Sequence, residues 1–165
     1  MKKLILCALA ALLASAGSAA AQGRALPAAP NAMYVELLGN GGLYSLNYDR
    51  LLTPRVAARV GFMGLGAATD SVSGGVIAAP LMVSYLFGEG NSHLETGVGV
   101  MLAAGAIDDV ADFEDESFSG AIGTATIGYR YQRPGGGFVF RVGVTPLFDT
   151  TGIAPWIGLS LGYGF

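Results

Sequence analysis

The stretch Trp156-Ile157-Gly158-Leu159-Ser160-Leu161-Gly162-Tyr163-Gly164-Phe165 alternates almost without error. Ile157, Leu159, Leu161, Tyr163 and Phe165 share one side, and Gly158, Ser160, Gly162 and Gly164 share the other. Successive side chains of a strand point to opposite faces, so this segment reads as a strand with one apolar face and one face of small residues. A strand this apolar left as an open edge would invite pairing with other chains. A barrel closed on itself has no such edge, and that is the architecture the segment points to.

The same period of two recurs upstream. Strands are expected over 32–39, 42–50, 55–66, 75–87, 93–106, 118–132, 137–146 and 154–165, eight in all, with boundaries good to a few residues. Alternation assigns their faces. Val56, Ala58, Val60 and Phe62 lie on one side of the third strand, with Arg59 on the other. Leu94, Thr96, Val98, Val100 and Leu102 oppose Glu95, Gly97 and Gly99. Ala125, Ile127, Tyr129 and Tyr131 oppose Arg130, and Phe138, Phe140, Val142 and Val144 oppose Arg141. An uninterrupted apolar face outside and charges inside is the code of a membrane barrel, the reverse of a soluble one.

Connections fit that reading. Short turns are expected at 51–54, 88–92 and 133–136, and longer loops at 67–74, 107–117 and 147–153. Asn40-Gly41 is expected to form a tight hairpin turn of type I′, since both central positions of that turn need positive φ. In the fourth strand Pro80 removes a ladder hydrogen bond and Met82 and Leu86 fall on the polar face, so a bulge is expected near Pro80. Tyr48, Tyr85, Phe87, Tyr129, Tyr131, Phe138, Tyr163 and Phe165 gather near the strand ends on the short-turn side, as an interfacial aromatic girdle would.

At the other end of the chain, Lys2 and Lys3 precede an apolar run from Leu4 to Leu13 and then small residues ending in Ala19-Ala20-Ala21. This is the layout of a cleavable secretory signal over 1–21, too short for a spanning helix of ~20 apolar residues. Residues 22–31, rich in Ala and Pro without a period, are expected to form a flexible leader, and 32–165 the barrel. Cleavage removes Cys7, which excludes disulfide and thiol chemistry from the remainder. It leaves 7 basic residues, all arginine, against 12 acidic ones, a net charge of −5 that argues against a nucleic-acid partner. Apolar content is 52% and charged content 13%, yet no stretch after the signal is continuously apolar for ~18 residues, so the apolar area must face lipid through strands.

The inward charges form a set: Glu36 and Glu95 against Arg59, Arg130 and Arg141. Eight strands enclose a space that side chains can fill, so these groups are expected to pair as a structural network rather than line an open pore. His93, the only histidine, shares a face with Glu95 and adjoins Ser92. Neighbours in a strand point apart, so the nucleophile and base of a hydrolase are not assembled there, and no catalytic residue is expected. Asp108, Asp109, Asp112, Glu114, Asp115 and Glu116 form an acidic loop without EF-hand spacing, read as a solvated loop rather than a metal site. The 26 glycines carry no phosphate-binding pattern, and no cofactor is expected.

With its signal-like start and terminal Tyr163-x-Phe165, the chain resembles the small eight-stranded bacterial outer-membrane β-barrels of the OmpA/OmpX-like type. In that family a terminal Phe with an aromatic two residues earlier is read by the assembly machinery; Ser160 stands where the signal usually has Gly. The resemblance implies an all-β, antiparallel, up-and-down transmembrane barrel in the outer membrane. It also implies Tyr163 and Phe165 as an assembly signal, outer-membrane lipids and the assembly machinery as partners, and a monomer. The function expected is non-enzymatic, structural or surface-interacting. Two alternatives stand beside it: a barrel lipid hydrolase resembling lipid A deacylases, and a soluble secreted lipocalin-like barrel.

Overall fold

The computed structural model describes residues 25–68, 72–109, 116–150 and 152–165. Along them run β1 (Asn31–Leu38), β2 (Tyr44–Leu51), β3 (Val56–Ala68), β4 (Val72–Phe87) and β5 (Ser92–Asp109). β6 (Glu116–Gln132), β7 (Gly137–Val144), the two-residue β8 (Leu147–Phe148) and β9 (Ile153–Ala154), and β10 (Ile157–Gly164) follow. From β1 to β7 each strand pairs antiparallel with its predecessor, β8 pairs with β6 and with β9, and β10 pairs with β7 and returns to β1, so the sheet closes. Two backbone hydrogen bonds between Asn31 and Phe165, of 3.0 and 2.8 Å, continue the seam past the last strand.

The barrel has eight staves, because β7 and β8 are one and β9 and β10 another. Ile127↔Val144 and Thr124↔Leu147 keep a single register, as do Ile157↔Val144 and Leu147↔Ala154. What interrupts the two staves is Pro146 facing Pro155, neither of which has an N–H to give. The same cause acts at Pro80, where the expected bulge does not form. Val60↔Leu81 and Met63↔Ala78 preserve one register across it. Gly61, opposite, makes this possible: a Cβ there would lie 2.8 Å from Pro80 Cγ and 2.3 Å from Asn47 Oδ1.

Alternation is obeyed throughout. Leu46, Val60, Phe62, Ile77, Leu94, Val98, Ile127, Val142, Leu159 and Leu161 are exposed on the outside, while Asn47, Asp49, Arg59, Ser84, Glu95, Thr126, Arg130, Arg141 and Ser160 are buried inside. Met82 and Leu86 are buried among the inward residues, so the lumen is mixed rather than wholly polar. At the short-turn end, where the chain's first and last described residues lie, Leu51, Ala57 and Leu86 cluster, and Ala29 is tied in by Ala29 N→Pro134 O at 3.0 Å.

Two loop expectations are corrected. The described parts of the loops expected at 67–74 and 107–117 are strand: Ala67↔Gly74, Ala68↔Ser73, Val72↔Asp109 and Ile107↔Glu116 are paired, while 69–71 and 110–115 lie outside the described residues. Ladder hydrogen bonds need backbone alone, and runs of Gly, Ala and Ser carry no apolar phase to betray a strand. β3 to β6 reach 13, 16, 18 and 17 residues, whereas β1 and β2 have 8 and the interrupted staves β7–β8 and β9–β10 span 137–148 and 153–164. Since ~9–11 residues cross a bilayer, these four adjacent strands project beyond the others as a sheet at the loop end.

The Asn40-Gly41 turn is not type I′. Positive φ falls at Leu38, Gly39 and Gly42 instead, and Gly39–Gly41 form a 3-10 turn closed by Leu38 N→Leu43 O at 2.7 Å. The reversal tucks the turn into the barrel, and Asn40 is 0% exposed. Small residues permit this: a Cβ on Gly39 would lie 2.4 Å from Glu36 Cδ, and one on Gly41 2.5 Å from Ser45 Cβ.

Candidate functional site

The inward charges of six strands meet in one chain of contacts along the barrel axis. Toward the short-turn end, Arg130 grips Asp49 with both terminal nitrogens, Nη2–Oδ1 2.7 Å and Nη1–Oδ2 3.2 Å. Its Nε donates to Gln132 Oε1 at 2.9 Å, and Nη1 stands 3.6 Å from Glu95 Oε1. Glu95 is itself held bidentately by Arg141, Nε–Oε2 2.8 Å and Nη2–Oε1 2.8 Å, the fork-to-fork geometry that only guanidinium supplies. The Arg141 guanidinium carbon lies 4.8 Å from the Tyr34 ring centroid, a cation–π contact that fixes its plane.

Toward the loop end the chain of contacts continues through Arg59, whose Nη1 donates to Glu36 Oε1 at 3.1 Å and whose Nη2 donates to Asn40 Oδ1. Asn40 then spans the lumen. Its backbone N–H reaches Glu36 Oε2 at 3.2 Å, and its Nδ2 donates to Thr124 Oγ1 at 2.6 Å and Ala125 O at 2.9 Å. Ser160 Oγ adds a 3.4 Å contact to Glu36 Oε1. The first hairpin thus stops the barrel from within.

Charge closes on this set. Arg59, Arg130 and Arg141 face Glu36, Asp49 and Glu95, three cations for three anions, all buried. An unpaired charge in this space would be prohibitive, so the matching is a condition for the lumen to exist. The cavity left between Glu36, Glu95, Thr126, Arg141 and Ser160 is about 10 Å³, the room of a single water.

The five sequence-selected residues, Glu36, Arg59, Glu95, Arg130 and Arg141, all lie in this network. Missing from that selection were Asp49, which supplies the third negative charge, and the neutral partners Tyr34, Asn40 and Gln132. Asp49 shares its parity with Ser45 and Asn47 on β2 and was detectable from that alone. Asn40 was not, because its inward position depends on space left by glycines elsewhere.

No hydrolase constellation forms around His93. Ser92 points away to the outer face, where Oγ lies 2.9 Å from Tyr129 Oη, and both carboxylate oxygens of Glu95 are taken by Arg141. Tyr163 and Phe165 are exposed on the outside, Tyr163 between Met33 and Phe138 in register. In the acidic loop, Asp108, Asp109 and Glu116 lie in paired strands, while Asp112, Glu114 and Asp115 fall outside the described residues.

No protein-family profile matches the chain, and no curated protein matches it either. Solved structures do. Ail, the attachment invasion locus protein of Yersinia pestis, superposes with a TM-score of 0.54 at 13% identity over 82% of this chain and 95% of that one. Its complex with the heparin analogue sucrose octasulfate gives 0.56 at 14% over the same shares. The N-terminal β-barrel domain of Pseudomonas aeruginosa OprF gives 0.54 at 17%, again over 82% and 95%. At such identities the likeness concerns fold: the chain has the closed eight-stranded barrel of the small outer-membrane type.

Proposed function

We propose that the protein is a non-enzymatic barrel of the bacterial outer membrane, with a structural or surface-interaction role. One observation carries this: large apolar side chains cover the outside, while three arginines and three carboxylates are sealed within. In water that arrangement would expose a continuous apolar surface far beyond the few hundred Å² a soluble monomer tolerates, whereas lipid removes the problem. The lumen acts as a core. Its paired charges hold the strands in register, and the inward turn at Asn40 bridges the lumen to Thr124 and Ala125. Surface contacts then belong to the projecting sheet of β3 to β6.

In this reading residues 1–21 are a cleaved signal, residues 22–31 a leader, and 32–165 the barrel. Tyr163 and Phe165 present the last strand to the assembly machinery, the short turns face the periplasm, and the barrel works as a monomer among outer-membrane lipids. The experiment is fractionation of producing cells, with each fraction run on denaturing gels before and after boiling. The protein is expected in the outer membrane, migrating faster unheated. Recovery in the soluble periplasm would overturn the proposal, and release of fatty acid from membrane lipid by the purified protein would overturn its non-enzymatic part.

A further inference from the structure

Outside the lumen, charge is sorted by end. No Lys or Arg occurs between Arg59 and Arg130 or after Arg141, so the loop-end segments 67–74, 107–117 and 147–153 hold eight carboxylates and no cation. The short-turn end is the reverse. Arg50, Arg55 and Arg133 stand there against Glu89, which lies 3.9 Å from Arg55. Arg50 and Arg133 have no carboxylate within ion-pair distance among the described residues. Both continue lipid-facing rows. β2 alternates without a break, and Arg50 ends its exposed row of Tyr44, Leu46 and Tyr48. On β6, Arg130 and Gln132 are buried and Tyr129 is exposed, so Arg133, itself exposed, follows Tyr129 and Tyr131 by parity.

Each row thus ends in Tyr-x-Arg, and that spacing has a depth. Two residues advance a strand by about 7 Å, or about 5 Å along the membrane normal at the ~45° tilt of a spanning strand. The headgroup layer on each side of the hydrocarbon core is about 5–8 Å thick. A tyrosine ring at the edge of the hydrocarbon therefore sets the following arginine among the phosphates. Arg50 is also oriented in advance. Asn31 Oδ1 accepts from its Nη1 at 3.1 Å and from Tyr48 Oη at 2.8 Å, which leaves Nε and Nη2 as a two-donor edge that matches a phosphate. We infer that the short-turn rim binds the phosphate of an anionic phospholipid at Arg50 and at Arg133, and that the acidic loop end excludes the same lipid from the opposite leaflet. A zwitterionic lipid brings its own ammonium to the phosphate and gains less from an unpaired guanidinium. The inference rests on the outer-membrane reading above, in which this rim meets the periplasmic leaflet.

The test uses the protein purified from cell envelopes and reconstituted in phosphatidylcholine vesicles. A fluorophore is carried at Phe138→Cys, one step past the Gln132↔Val139 pair at the short-turn end, or at Leu102→Cys, toward the loop end of β5. Quenching by nitroxide-bearing phosphatidylglycerol is compared with quenching by nitroxide-bearing phosphatidylcholine. Both leaflets hold the same mixture, so the direction of insertion does not matter. At position 138 the anionic lipid is expected to associate about fivefold more strongly than the zwitterionic one, falling toward parity in ~1 M salt. Position 102 is expected to show no such preference. Arg50→Gln with Arg133→Gln should abolish the preference at 138, whereas Arg50→Lys with Arg133→Lys keeps the charge and should retain most of it. Equal association of the two lipids at 138, the same preference at 102, a preference undiminished by the glutamine changes, or equal loss in both variants overturns the inference and leaves the barrel in place. Quenching by neither lipid at either position overturns the membrane reading and the inference with it.

Discussion

Arg130 is 0% exposed, and what holds it there is geometric completeness: Asp49, Gln132 and Glu95 all lie within reach of its guanidinium. Removing one member of such a buried pair leaves the other charge uncompensated. Arg141→Leu, which takes from Glu95 its bidentate partner and leaves only the 3.6 Å contact with Arg130, should cost about 3–5 kcal/mol, and the double change with Glu95→Leu should cost clearly less than the two single changes together. Val142→Arg, one residue along on the outside, should cost about 2–4 kcal/mol at the bilayer midplane. Urea unfolding in lipid vesicles measures all four variants. Asn40→Ala removes the donor to Thr124 and Ala125 and the acceptor for Arg59, and should cost about 1–3 kcal/mol in the same assay. These roles differ in how far sequence reveals them. Parity alone exposes Asp49 once β2 is recognised, whereas Asn40-Gly41 carries the signature of an outward hairpin and is drawn inward by a packing opportunity that no local pattern encodes.

At the scale of elements, alternation found all eight staves because each buried or lipid-facing strand must sort its side chains by face. It failed where that sorting stops. Beyond Gly66 and Gly75 the strands run on through Ala67, Ala68, Ser73 and Gly74, with no apolar phase, and these residues were read as loop. Pro80 misled in the opposite direction: the proline predicted a bulge, yet a glycine across the ladder absorbed its ring. The extension predicts a topology. With Cys7 gone with the signal, a cysteine placed at Ser119, on the projecting part of β6, should react with a membrane-impermeant maleimide on intact cells, and one at Leu159 should not. Labelling at Leu159 with protection at Ser119 would mean that the projecting sheet is not the exposed surface.

For the whole molecule, the seam between β1 and β10 joins the segments farthest apart in sequence, so closure is the step that completes the fold. Phe165 contributes to it through two backbone hydrogen bonds with Asn31, and its side chain adds only about 1.5–3 kcal/mol by burial in the interface. Deleting Phe165 should therefore reduce refolding into detergent modestly and the amount of folded protein in outer-membrane fractions severely, as the proposed assembly role requires; equal losses would reduce that residue to packing. The central claim is that the outside of the barrel meets lipid and the inside is sealed. A fluorescent label carried in turn at cysteines from Phe138 to Val144, in vesicles containing nitroxide-bearing lipids, tests it most directly. The account predicts quenching with a period of two, strong at 138, 140, 142 and 144 and weak at 139, 141 and 143. Quenching in the opposite phase, or without a period, would contradict it.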